Sequence, residues 1–149
     1  MMTRRHMLAL IASTPLMTRP AYAGPSRVYS KNGFAIHGID PVAYFARGAA
    51  VPGSMAHRLV WHGATWLFVD RSHRLTFEMN PKAFAPQYGG YCAMGMARGE
   101  VIPSDPEAWM LHDGKLFLNH SAQALSAWST DVEANMSLAN DHWPRLQTG

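Results

Sequence analysis

Cysteine is all but missing from this chain: among 149 residues there is one, Cys92. A single thiol excludes an internal disulfide framework and leaves three roles: a buried thiol, a metal ligand or an intermolecular partner. An excess of one charge is also missing from most of the chain. Three of the thirteen lysines and arginines (Arg4, Arg5 and Arg19) lie in the first 23 residues, which hold none of the ten acids. Beyond residue 23 the chain carries ten charges of each sign, so the formal net charge of +3 gives no warrant for nucleic acid or an acidic membrane surface. No apolar stretch beyond residue 23 is long enough to span a bilayer. Internal repeats, low-complexity tracts and a His-x-x-x-His pair are absent as well. The surroundings of Cys92 lack the local signatures of thiol hydrolases, and Gly89-Gly90 lacks the strand–glycine–helix context of a phosphate loop. No catalytic residue is assigned on these grounds, and the reading leans away from an enzyme.

What is there begins with an export signal. Residues 1–7 are basic, Leu8-Ala9-Leu10-Ile11-Ala12 is a short apolar stretch, and Ala21-Tyr22-Ala23 is a small-residue cleavage site. That order describes a signal peptide over residues 1–23. Thr3-Arg4-Arg5-His6-Met7-Leu8, with Pro15 interrupting the apolar stretch, is twin-arginine-like, while the Sec route stays open. The expected location is the periplasm or another exported compartment. Residues 24–33 read as a hydrophilic entry arm, 34–144 as one domain and 145–149 as a tail. About 125 residues suffice for a single core without staples.

Local signals place the elements. Asp40-Pro41 is an N-cap followed by proline at the first helical position, and Gly48 ends that short helix. Residues 57–62 and 65–69 form a hairpin across Gly63-Ala64. Asp70 caps a helix from Arg71 to Met79 that stops at Asn80-Pro81. Ala108 to His112 and Lys115 to Asn119 form a second hairpin, because Asp113-Gly114 is the pair a tight type I′ turn prefers. From Ser121 towards His142 the chain reads as helix with an apolar stripe at Leu125, Trp128 and Val132. The expected fold is a small α+β single domain: an antiparallel sheet of two hairpins with short helices and a C-terminal helix.

Gly89-Gly90-Tyr91-Cys92-Ala93-Met94-Gly95-Met96 carries the chemistry. A thiolate and two thioethers are soft donors of the kind that suits Cu(I). Against this stands the ordinary behaviour of a lone Cys as a small buried hydrophobe and of Met as a core filler. In an extended segment the sulfurs of Cys92, Met94 and Met96 would share a face. In a helix only residues 92 and 96 would. Gly95 and Gly99 disfavour helix, so a loop or strand is expected. Seven histidines lie beyond the signal, each more easily read as a surface or hydrogen-bonded ring than as a ligand. Of these, His37 near Asp40 offers an acid–base or ligand pair.

The blocks Gly38-Ile39-Asp40-Pro41-Val42-Ala43-Tyr44-Phe45, Trp61-His62-Gly63-Ala64-Thr65-Trp66-Leu67-Phe68, Asn80-Pro81-Lys82-Ala83-Phe84-Ala85-Pro86-Gln87-Tyr88-Gly89-Gly90-Tyr91-Cys92-Ala93 and Asp105-Pro106-Glu107-Ala108-Trp109 resemble, in that order, the exported bacterial YHS-domain proteins. The resemblance runs from about Asn32 to Pro144. It implies a small α+β domain with a metal-related role, since shorter YHS domains accompany heavy-metal ATPases and some oxygenase subunits. Those shorter domains often carry three cysteines where this chain has Ala43, Val69 and His73. Their site is therefore not transferable, and a site here must be rebuilt around Cys92 with Met94, Met96 and His73.

Three functions are consistent with these features. The first is an exported metal-binding protein, with copper as the ion, that buffers it or passes it on by ligand exchange at Cys92. The second is a module for a non-metal small ligand or a protein, with a pocket drawn from His37, Asp40, Tyr44, Tyr91 and the tryptophans. The third is a thiol-dependent redox protein using Cys92.

Overall fold

The computed structural model describes residues 26–147, so the expected export signal lies outside the described residues. Two N-terminal strands, β1 (Ser30–Lys31) and β2 (Phe34–Ala35), pair antiparallel. A 3-10 turn over Ile36–Gly38 leads into α1 (Pro41–Arg47). Asp40 caps α1 and Gly48 closes it in the left-handed conformation, both as expected. Next comes the hairpin of β3 (Ser54–Trp61) and β4 (Ala64–Phe68). Asp70 caps α2 (Arg71–Met79) by accepting from His73 N–H at 2.8 Å. That bond holds the Asp70 carboxyl below its usual pKa. Asn80 then redirects the chain into the four-residue α3 (Pro81–Phe84).

A 3-10 turn over Gln87–Gly90 precedes α4 (Ala93–Ala97). The second hairpin joins β5 (Asp105–His112) to β6 (Lys115–Asn119). Asp113 and Gly114 have φ of 48° and 71°, both positive as a type I′ turn requires.

The α+β class is as expected, but the sheet arrangement is more divided. The first hairpin belongs to a four-stranded sheet ordered β1-β2-β4-β3, in which β2 runs parallel to β4, and the second hairpin is a sheet of its own. The entry segment explains the extra strands. Val28 is buried in the core, and Gly33 O accepts from Thr65 N–H at 2.9 Å, stitching the segment onto β4.

Two apolar clusters hold the domain. One gathers Ile36, Val42, Tyr44, Trp66, Phe68 and Phe77, and the other Tyr88, Tyr91, Met96, Phe117, Trp128 and Ala139. Strand β6 serves both. Side chains alternate faces along a strand, so Leu116 and Leu118 enter the first cluster while Phe117 enters the second. A strand buried on both faces is thus the partition of the core.

The C-terminal helix is two helices, α5 (Ala122–Ser129) and α6 (Val132–Gln147). The break has local causes. Asp131 Oδ1 accepts from Ala134 N–H at 3.1 Å, starting a new helix. Thr130 Oγ1–H and Asn135 Nδ2–H both donate to Ala127 O, occupying a carbonyl that a continuous helix would use. No described helix is long and apolar enough to cross a membrane.

Tyr88 gives this core a pH signature. Its hydroxyl donates to Asn140 Oδ1 at 3.1 Å, and burial pushes its pKa up from 10.0 to about 12. The unfolded chain releases this proton first, so stability is intact below pH about 10 and falls as pH rises towards about 12. Urea melts of the wild type and Tyr88→Phe across that window check this: the substitution should flatten the alkaline slope.

Candidate functional site

Cys92 sits at the N-cap of α4 with non-helical backbone (φ −57°, ψ 118°), and its Sγ accepts from Gly95 N–H at 3.3 Å. The expected loop or strand is therefore corrected to a short helix. Gly95 tolerates this for a packing reason. A Cβ there would stand 3.0 Å from Ile102 Cδ1 and 3.3 Å from Glu100 O, so its absence lets the 100–102 segment lie against the helix. Cys92 N–H then donates to Ile102 O at 2.9 Å.

Asn119, at the end of β6 and fully buried, supports the other side. Its Oδ1 accepts from Met94 N–H at 3.0 Å and from the Cys92 thiol at 3.8 Å, while its Nδ2 has no partner. The thiol is thus pinned by a backbone donor and an amide acceptor. Cys92 itself is 1% exposed, yet it forms part of the wall of a cavity of about 340 Å³ together with Met94, Arg98 and His120.

His120 is the residue that sequence reasoning missed. Its Nδ1–H donates to Pro103 O at 2.9 Å. A carbonyl only accepts, so in the neutral ring Nε2 carries the free lone pair. Orienting a ligand imidazole through the opposite nitrogen is the usual arrangement at metal centres. The one available signal was adjacency to Asn119 at the end of a predicted strand, which is too common to single out.

The other expected ligands go elsewhere. Met96 is fully buried in the second cluster, and its carbonyl accepts from His142 Nδ1–H at 3.0 Å. His73 is held by Asp40, its Nδ1–H donating to Oδ2 at 2.6 Å. Asp40 is fully buried and also accepts from Val42 N–H at 2.8 Å, Ala43 N–H at 3.2 Å and Val69 N–H at 2.9 Å. Ala43, Val69 and His73 therefore converge on one carboxyl group.

The expected His37–Asp40 pair is corrected for the same reason: Asp40 is saturated by α1, Val69 and His73. His37 Nε2 instead lies 3.1 Å from Ser104 O and 3.2 Å from Tyr29 Oη. Tyr44 donates to Pro106 O at 2.8 Å, with its ring edge-on to Trp109. Burial, then the Glu107 and Asp105 carboxylates, push its pKa far up. Tyr91 packs beside Tyr29 at 5.5 Å, and burial followed by Tyr29 raises its pKa. Neither of the two described cavities takes His37, Asp40, Tyr44 or Tyr91 into its wall.

Elsewhere, among the described residues, His112, Asp113 and Glu133 form an exposed group, with His112 Nε2 at 2.7 Å from Glu133 and 3.5 Å from Asp113. It bridges the second hairpin to α6 through the His112–Glu133 hydrogen bond. No family model, curated protein or solved structure matches the chain.

Proposed function

We propose that the protein is an exported soft-metal-binding protein of the YHS-domain type, with copper as the ion, which it buffers or hands on. The ligands would be the Cys92 thiolate, the Met94 thioether and His120 Nε2. The observation that supports this is the shared cavity: Cys92, Met94 and His120 all border it, and the His120 ring is already oriented through Nδ1. Soft sulfur with imidazole suits Cu(I) over hard cations. A cavity of about 340 Å³ also leaves room for an incoming ligand from a partner, which transfer by ligand exchange needs.

The experiment is an anaerobic Cu(I) competition titration on the chain from Gly24. One-to-one binding is expected in the parent and none at the same competitor strength in Cys92→Ala. His120→Gln should weaken it by about 10–100-fold, the usual scale for losing a shell partner or weak ligand. Met96→Leu and His73→Gln should leave it unchanged, since neither side chain reaches the cavity wall. Absent binding in the parent, or binding that survives Cys92→Ala, overturns the reading.

A further inference from the structure

A second cavity, of about 510 Å³, lies away from Cys92 and shares no wall residue with the first. Its wall includes Trp61, Trp66, Tyr88 and Trp143 together with Arg27 and Lys82. The aromatic part is fixed in place. Trp66 is buried and donates its indole N–H to Trp61 O at 3.1 Å, so it supports Trp61 from beneath. Trp61 stands edge-on to Phe77 at 5.5 Å and stacks on His62 at 3.8 Å.

The opposite part is built on an unusual backbone. Tyr88, Gly89 and Gly90 have φ of 55°, 64° and 84°, and Tyr88 is a bulky residue in a region such residues seldom occupy. The consequence is a close approach. A Cβ on Gly89 would collide with Arg27 O and stand 3.1 Å from the Trp143 ring. The left-handed run thus draws Arg27 and Trp143 together over Gly89, and Tyr29 N–H donating to Gly89 O at 2.8 Å locks it.

Charge decides the ligand. The wall contains two full cations and no carboxylate. Among the described residues, neither Arg27 nor Lys82 has an ion-pair partner. Indole faces with unpaired cations complement a ring that carries a negative group. The volume falls within the range of about 300–1,000 Å³ typical of small-molecule sites.

We propose that this cavity binds a small aromatic carboxylate, its ring against Trp61 and Trp143 and its carboxylate at Arg27 and Lys82. The site is separate from the copper reading and stands without it. Calorimetric titration with naphthoate and its neutral isostere naphthamide tests it. Saturable one-to-one binding of naphthoate is expected, with naphthamide about tenfold weaker or worse, the scale of a lost charge-assisted contact. Arg27→Gln with Lys82→Gln should erase that preference. Both side chains are exposed, so circular dichroism of the double variant should match the parent. Trp143→Leu should weaken naphthoate. Three outcomes overturn the proposal: no saturable naphthoate binding, equal affinity for naphthamide, or a preference that survives the double substitution.

Discussion

Asp40→Ala is expected to destabilise the protein by about 3–5 kcal/mol, the range for removing one partner of a buried, fully bonded polar group. Asp40 Oδ1 caps α1 through Val42 and Ala43 N–H, and loss of such a cap alone costs about 1 kcal/mol. Oδ2 accepts from Val69 N–H at the end of β4 and from His73 Nδ1–H on α2, so alanine also strands two donors. Each stranded donor costs about 1–3 kcal/mol when water cannot replace the acceptor. Asp40→Asn should cost less, because one carbonyl oxygen can still cap α1. Val69 N–H would then face an amide nitrogen and stay unpaired. Urea denaturation reads both, and the order wild type, Asn, Ala in midpoint is the expected result. An alanine variant within about 1 kcal/mol of wild type would mean that water reaches these donors and that Asp40 is not the tie between α1, β4 and α2.

Trp128→Ala should cost about 3–5 kcal/mol, the typical loss on emptying a large aromatic site in a core. Trp128 is fully buried in α5, 5.1 Å from the Phe117 ring and 6.3 Å from Tyr88. The helix it anchors also lends Ala124 and Ala127 to the wall of the Cys92 cavity. Its indole N–H, however, is buried without an acceptor. Trp128→Phe removes volume and that orphaned donor together, so its cost should fall below about 2 kcal/mol. Thermal melts of the two variants separate the effects. Equal losses would show that the N–H is satisfied in solution.

Much of the fold was legible because the signals are local. Asp40-Pro41, Asp70 and Asp113-Gly114 act through hydrogen bonds or φ preferences spanning two to four residues, and each element they mark lies where those signals place it. The break at Thr130 and Asp131 was equally local but hidden: Trp128 and Val132 sit four apart, and that spacing alone suits one continuous helix. The parallel pairing of β2 with β4 was out of reach, since a two-residue strand carries no periodicity.

The site divides along the same line. Cys92 and Met94 stand two residues apart, and the sequence by itself determined that they are soft donors held close together. Their relation to Met96 was decided by the cap. The face-sharing rule counts from a residue inside a helix, whereas Cys92 is the cap with ψ of 118°, so Met94 joins it at the cavity and Met96 turns into the core. Asn119 reaches Cys92 from 27 residues away, His120 shares its cavity from 28, and His73 reaches Asp40 across 33. Contacts at that range are set by which faces of β6, α2 and α4 the two apolar clusters bury. Burial is a property of the whole packed chain, so tertiary structure alone could take His73 to Asp40 and bring His120 to the cavity that Cys92 borders.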